Sequence, residues 1–344
     1  MQATVTYYFS VAGFTFAVEQ PHEYDIESLL PSFAPFRCPP TSDEQLFVLT
    51  LDDTPFADDG ELWDETTNDL GLTRLYKTAE GYRVTLQYTP QGPVHTMIAD
   101  KRFTTARANL SSHDKYAGQA LSSLLRLAFA QAIVWHRAIS IHASAVVCDG
   151  KGYLFMGKSG TGKSTHSALW QQNIPGCYLL NDDNPTLRIV GDKVIVYGTP
   201  WSGKIPCYRN EQHPVGAIVR LVQAKENNYR PQSGVAAFVA ILPGCSAIRR
   251  DAAQYDTLCT TLAEISAMVP VGVMECLPNA DAAQECYKNT HNPKPITHNP
   301  ITQSPKTQNP KPKTHNPLIV NRSTFNVNRY NPITHNPPCG KKKR

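Results

Sequence analysis

The stretch "GYLFMGKSGTGKSTHSALW", residues 152–170, decides the fold of the chain around it. An apolar run leads into a glycine-rich segment, and a run compatible with a helix follows. The glycine-rich segment fits the Walker A pattern Gly-x4-Gly-Lys-Ser/Thr through Gly157, Gly162, Lys163 and Ser164. A strand, a phosphate-binding loop and a helix in this order predict an α/β domain of the P-loop type.

Each residue type in this loop suits the binding of a nucleotide phosphate. Glycines allow backbone N–H groups to point at phosphate oxygens, and the following helix offers its positive N-terminus. We expect Lys163 to reach the β- and γ-phosphates of ATP, and Ser164 to place its hydroxyl on Mg²⁺. The alternative is a glycine-rich turn that binds no ligand. The predicted nucleotide-binding residues are Gly157, Lys158, Ser159, Gly160, Thr161, Gly162, Lys163, Ser164 and Thr165.

An apolar run that ends in two carboxylates, "YLLNDD" at residues 178–183, is the second chemical element. Folds with this type of loop hold their metal at the end of such a strand, directly or through water. Asp182 and Asp183 can divide the work, one binding Mg²⁺ and the other acting as general base toward an acceptor hydroxyl. The alternative is an exposed turn, because "NDDNP" also has good turn chemistry.

His142 and the segment "GTPWSGKIPCYRN" offer further side chains for this site. If the strand that contains His142 pairs beside the loop strand, its imidazole lies near the phosphates. The alternative for His142 is a buried structural histidine. Lys204 and Arg209 are candidates to guide the acceptor or to bind phosphate, although the spacing alone indicates only a loop. Arg249 and Arg250 fit ordinary surface charge better.

From "SIHASAVVCDGKGYLFMGKSGTGKST" through "LLNDD" to "YGTPWSGK", the chain resembles a known family. It is similar to the HPr serine kinase/phosphorylase family and its relatives with the phosphoenolpyruvate carboxykinase type of nucleotide fold. Two apolar runs flank Asp149-Gly150, which predicts a hairpin and hence an antiparallel neighbour for the loop strand. P-loop proteins normally place this strand among parallel neighbours, so the hairpin agrees with the resemblance. The resemblance covers roughly residues 115–287, about half of the chain.

The resemblance implies an ATP-dependent kinase with ATP and Mg²⁺ as its cofactors. In the family, the histidine and an acidic residue tune proton transfer at the acceptor hydroxyl. Family members phosphorylate a protein serine, free serine or peptides, and the carboxykinase branch acts on oxaloacetate. The helix after the loop lacks the acidic residue usual in the protein-serine kinases, so the acceptor stays open. The positions that match the family are His142, Gly157, Gly160, Gly162, Lys163, Ser164, Thr165, Asp182 and Asp183.

Three segments of different composition predict the domain organisation. Residues 1–112 are rich in short apolar and β-branched runs and predict a β-rich accessory domain, with a role in substrate recognition as the alternative. For residues 113–287 the resemblance implies an HPr kinase-like P-loop domain, which we expect to have a mixed sheet. Residues 288–344 repeat "THNP" and are rich in proline, which predicts a disordered, low-complexity basic tail.

Charge and cysteine content limit the classes of partner. Residues 288–344 hold 11 of the 33 Lys and Arg residues and none of the 29 Asp and Glu residues, so residues 1–287 carry 22 basic against 29 acidic residues. A body this acidic argues against a nucleic-acid partner. Nine cysteines without a Cys-x-x-Cys pair predict reduced thiols and a cytoplasmic protein. The apolar segment 117–135 contains Arg126 and predicts a buried helix rather than a membrane span.

Three functions remain open at this level. The first is a kinase that transfers the γ-phosphate of ATP to a hydroxyl of a protein, a peptide or a small molecule. Its predicted catalytic residues are His142, Lys163, Asp182 and Asp183; its predicted metal ligands are Ser164, Asp182 and Asp183. The second is a nucleotide-binding regulatory module without transfer, and the third is a phosphoenolpyruvate-forming lyase. The family resemblance makes a homo-oligomer plausible.

Overall fold

The protein is a mixed α/β structure in which two mixed β-sheets are joined by a buried helix. The computed structural model describes residues 4–20, 24–40, 44–68, 71–111 and 114–291. The predicted disordered tail therefore lies outside the described residues from position 292 onward. Residues 288–291 belong to the last helix, so ordered structure continues past the predicted tail boundary. The division into domains stays a prediction.

Eight strands form the first sheet, in the order β1-β2-β3-β8-β7-β6-β5-β4. They are β1 (Val5–Val11), β2 (Phe14–Gln20), β3 (Val48–Leu51), β4 (Glu61–Asn68), β5 (Gly71–Lys77), β6 (Gly81–Gln87), β7 (His95–Asp100) and β8 (Thr105–Asn109). Strand β3 runs parallel to both of its neighbours, and the other pairs are antiparallel. Charged and polar residues interrupt the apolar alternation of β4 and β5, so these two strands have a weak sequence signal.

Helix α2 (Ala117–Ala132), extended by a 3-10 turn to His136, packs against this sheet; α1 (Ile26–Leu29) lies beside it. Phe129 of α2 meets Phe16, and Trp201 packs on Phe129 with ring centroids 5.2 Å apart. The core of the first sheet therefore reaches Trp201, which lies in a connection between two strands of the second sheet. Residues 117–136 are long and apolar enough to cross a membrane, a weak indication because buried core helices pass the same test, and 67% of this stretch is buried.

Nine strands form the second sheet, in the order β12-β10-β11-β15-β14-β13-β9, with β17 beside β15 and β16 beside β17. They are β9 (Ala138–Ser140), β10 (Ala143–Cys148), β11 (Lys151–Met156), β12 (Tyr178–Asn181), β13 (Thr186–Val190), β14 (Lys193–Tyr197), β15 (Gln212–Gln223), β16 (Asn228–Gln232) and β17 (Val271–Cys276). The helices are α3 (Lys163–Asn173), α4 (Gly234–Ile241), α5 (Ala252–Met268) and α6 (Ala280–His291).

The predicted hairpin at Asp149-Gly150 is confirmed. Strands β10 and β11 pair antiparallel around it, and both turn residues have positive φ angles of 49° and 72°. Strand β11 pairs with β15 in parallel on its other side, which makes the sheet mixed as expected. His142 departs from the prediction in one respect: it lies in the link between β9 and β10, one residue before β10 begins.

The expectation of uniformly reduced thiols is wrong for one pair of cysteines. Cys148 ends β10, Cys177 precedes β12, and the two are joined by a disulfide across a Cα–Cα distance of 4.5 Å. The two cysteines are 29 residues apart, and this separation does not predict that they pair. The pairing depends on β10 and β12 lying side by side. The other cysteines in the described part of the chain are free.

Candidate functional site

The glycine-rich loop joins the end of β11 to the start of α3. Gly160 and Gly162 have φ angles of +81° and +104°, a region that residues with a Cβ rarely adopt. A Cβ at either position would meet nothing within 4 Å. Backbone conformation, rather than space, therefore requires glycine there. Gly162 is the residue before α3, so the loop delivers Lys163 and Ser164 to the first turn of that helix.

Lys163 turns back toward the loop strand and toward His142. Its Nζ lies 2.8 Å from His142 Nε2 and donates to the carbonyl oxygen of Gly157 at 3.1 Å. Burial lowers the pKa of Lys163, while the charges of Asp183 and Asp182 oppose that shift. An ammonium group can only donate, so His142 accepts on Nε2 and carries its proton on Nδ1. The predicted position of His142 near the loop is confirmed.

Asp182 and Asp183 are both buried, 5% and 7% exposed, so the alternative of an exposed turn is wrong. Asp182 accepts from Ser164 Oγ on Oδ2 at 3.1 Å and from Ser144 Oγ on Oδ1 at 2.8 Å. Burial raises the pKa of Asp182 against the lowering effect of these hydroxyl groups. The carboxylate therefore reaches the loop serine directly.

Asp183 faces the histidine rather than the loop serine. Its Oδ1 lies 2.9 Å from His142 Nδ1. The Asn184 side-chain amide donates to Oδ2, and Arg126 Nη1 lies 3.9 Å from the same oxygen. Lys163, His142 and Asp183 thus form one continuous polar chain.

Asn181, the last residue of β12, holds the acidic pair in place. Its side-chain oxygen accepts from the backbone N–H groups of Asp183 and Asn184, at 3.0 and 2.9 Å. Its amide donates to the carbonyl of Trp201 at 3.0 Å. The same residue therefore fixes the turn after β12 and anchors the next segment against it, which explains why "NDDN" is buried here.

The two predicted substrate residues have different surroundings. Gly203 packs so closely on the acidic pair that an added Cβ would lie 2.7 Å from the Asp182 carbonyl oxygen. Lys204 follows it and is exposed. Arg209 instead pairs with Glu211 at 3.2 Å and stacks over the Tyr178 ring, 5.0 Å from its centroid. Of the two, Lys204 is the one that directly follows a residue packed on the acidic pair.

Two residues of this site escaped the sequence analysis as functional candidates. Arg126 of α2 reaches Asp183 with its side chain 13% exposed, and Ser144 of β10 bonds Asp182. A single charge within an apolar helix was a signal for Arg126. Ser144 gave none, because a serine in a strand is common and its partner is distant in sequence.

Mg²⁺ fits the oxygen atoms that Ser164 and Asp182 present together. Magnesium is usually bound by one or two carboxylates with water and substrate phosphates, so a dedicated protein cage is not required. Within the described ranges, no group of three or more His, Cys, Asp or Glu side chains is arranged to hold a metal ion. Water and nucleotide phosphates would therefore have to supply most of the ligands.

His166, on the first turns of α3, gives the site's helix a pH-dependent stability. Burial lowers the pKa of His166 to about 4, and its Nε2 accepts from Trp170 Nε1 at 3.1 Å. The unfolded chain binds this proton at higher pH, near 6.5. The stability contribution is therefore complete above that pH and is lost as the pH falls toward 4.

We expect the free energy of unfolding to fall by about 2 kcal/mol between pH 7 and pH 5 through His166 alone. Urea unfolding of the wild type and of His166→Gln at both pH values isolates this effect, because glutamine can still accept from Trp170 but does not titrate. Equal pH dependence in the two proteins would contradict the assignment.

Comparison with known proteins gives no independent evidence for the function of this site. No protein-family profile matches the chain, and no curated protein matches it. Among solved structures, the chain is similar to the HPr(Ser) kinase/phosphatase from Coxiella burnetii, with 17% sequence identity, 43% of this chain and 86% of that chain covered, and a TM-score of 0.28. A likeness at this level carries no weight for activity, substrate or partners, so the functional conclusion depends on this chain's own residues.

Proposed function

We propose that this protein is an ATP-dependent kinase that transfers the γ-phosphate to a hydroxyl group of a protein, a peptide or a small molecule. One observation carries the proposal: the loop lysine, the loop serine and two buried carboxylates converge at the N-terminus of α3. Lys163 reaches Asp183 through His142, and Ser164 reaches Asp182 directly. Phosphoryl transfer needs positive charge at the phosphates and a base at the acceptor, and these residues supply both.

Each residue of the site has a distinct role in the proposed reaction. Ser164 and Asp182 would hold Mg²⁺, which neutralises phosphate charge when bound. Lys163 donates to phosphate oxygens and stabilises the charge that develops on the transferred group. Asp183 accepts the proton of the acceptor hydroxyl as the new oxygen–phosphorus bond forms and the bond to the β-phosphate oxygen breaks. ADP is the leaving group.

His142 and Arg126 orient the proposed base. His142 donates from Nδ1 to Asp183 Oδ1, which fixes the position of that carboxylate. Arg126 adds positive charge 3.9 Å from the other carboxylate oxygen. Lys204 is exposed in the segment that covers the acidic pair, so it is placed to contact an acceptor. Arg209, already paired with Glu211, is a weaker candidate for that role.

The test is transfer from ATP labelled on the γ-phosphate, with Mg²⁺ and an extract of the host cell. The full-length chain is compared with Lys163→Ala, and labelled macromolecules are separated from labelled metabolites. Label that depends on Lys163 supports the kinase and identifies the class of acceptor. ATP binding without any transfer would favour the regulatory module, and ATP consumption that requires oxaloacetate would favour the lyase.

A further inference from the structure

Two buried serines lie next to the Asp182 oxygen that does not contact the loop serine. Ser144 Oγ lies 2.8 Å from Asp182 Oδ1, and Ser167 Oγ lies 2.6 Å from Ser144 Oγ. Ser144 and Ser167 are 0% and 1% exposed. They come from β10 and α3, while Asp182 follows β12, so one short polar chain crosses three elements.

The number of available protons determines which group donates in each hydrogen bond of this polar chain. A serine hydroxyl has one proton, and Ser144 uses it to donate to the Asp182 carboxylate, which can only accept. The contact between the two serines must then be a hydrogen bond that Ser167 donates and Ser144 accepts. Each hydroxyl polarises the next, so the bond that reaches Asp182 is strengthened.

The two oxygens of Asp182 therefore have separate partners. Oδ1 is held by Ser144, and Oδ2 faces Ser164 at 3.1 Å. The backbone N–H of Ile205 also donates to this carboxylate. The terminal torsion of an aspartate is broad, so loss of the Ser144 donor on Oδ1 removes one of the restraints that keep Oδ2 directed at Ser164.

We propose that Ser144 is a positioning residue that fixes the Asp182 carboxylate for Mg²⁺-nucleotide, with Ser167 as its support. This inference rests on the proposed function, because it assumes that the oxygen facing Ser164 meets the metal. Both serines are buried, so neither is placed to contact a nucleotide bound at the loop. Ser144 acts on the metal only through the orientation of Asp182.

The test measures the affinity of the full-length chain for ATP by calorimetry over a series of MgCl₂ concentrations. A hydrogen bond to a charged group contributes about 1.5–3 kcal/mol, which corresponds to roughly a 10–150-fold change in an equilibrium constant. The measured quantity is the MgCl₂ concentration at which the association constant for ATP reaches half of its maximum. In Ser144→Ala we expect this concentration to rise by about tenfold or more. ATP affinity without Mg²⁺ should stay at the wild-type value, a separation that a general loss of structure would not produce.

Two further substitutions, one at the same serine and one at a control serine, complete the test. Ser144→Cys leaves no cavity, being slightly larger than serine, and offers only a weak donor, so it should show the same shift even if the alanine variant is unstable. Ser140→Ala removes another buried serine hydroxyl of the same sheet and should leave the Mg²⁺ dependence unchanged.

The outcomes separate the two proposals. Wild-type Mg²⁺ dependence in folded Ser144→Ala and Ser144→Cys would overturn the positioning role alone. A wild-type chain whose ATP affinity does not depend on Mg²⁺ would overturn the proposed function and this inference with it.

Discussion

Replacing Lys163 with alanine is expected to reduce phosphoryl transfer by at least about 10²–10³-fold, the usual cost of removing one donor to developing charge. The side chain is the cation that the structure places between the Gly157 carbonyl and His142, where burial lowers its pKa. When ATP binds, the same ammonium group would exchange these partners for phosphate oxygens. The measurement is the rate of label transfer from ATP at saturating Mg²⁺.

A matched control shows whether the loss belongs to this lysine. Lys151 lies at the opposite end of β11, is exposed, and is far along the strand from the loop. Lys151→Ala should therefore transfer phosphate at the wild-type rate, and both variants should retain the wild-type melting temperature. Undiminished turnover in folded Lys163→Ala would end the assignment of the loop as a catalytic phosphate site.

Asp183→Asn is expected to slow transfer by about 10²–10⁴-fold, the range that a general base contributes. Asparagine preserves the size of the side chain but cannot take the acceptor proton. Asp183 does not touch the loop serine, whereas Asp182 does, so ATP affinity in the presence of Mg²⁺ should change little. The measurement pairs the rate of transfer with the dissociation constant of Mg²⁺-ATP.

Asp182→Asn provides the contrasting result. Because Asp182 bonds Ser164, its substitution should weaken Mg²⁺-dependent ATP binding, and Asp183→Asn should not. If both variants lose only binding, the two carboxylates share the metal and a different group is the base. If Asp183→Asn transfers phosphate at the wild-type rate, the proposed role of Asp183 is wrong.

Local sequence patterns predicted the elements that carry the site. The hairpin at Asp149-Gly150 follows from two residues that tolerate positive φ. The predicted strand at residues 178–181 is likewise present before the acidic pair. These signals depend on residues close together in the chain, so no tertiary information is needed to see them.

Other elements were missed for equally physical reasons. Strand β16 contains Pro231, and α4 is a short, uniformly apolar helix without strong periodicity. The last helix continues to His291, whose Nδ1 lies 3.1 Å from the Tyr153 hydroxyl, although the polar composition of its final turn resembles the tail. Their tertiary neighbours, rather than their own propensities, determine these segments.

The sequence by itself determined the glycine-rich loop, its lysine and serine, and the strand that ends in two carboxylates. Only the tertiary structure decided that β12, β10 and β11 lie side by side, so that Asp183, His142 and Gly157 meet at one edge of the sheet. It also decided that Asp182 is buried against Ser144 and that Arg126 reaches Asp183. The physical reason is that backbone conformation depends on near neighbours, while strand register and burial depend on how the whole core packs.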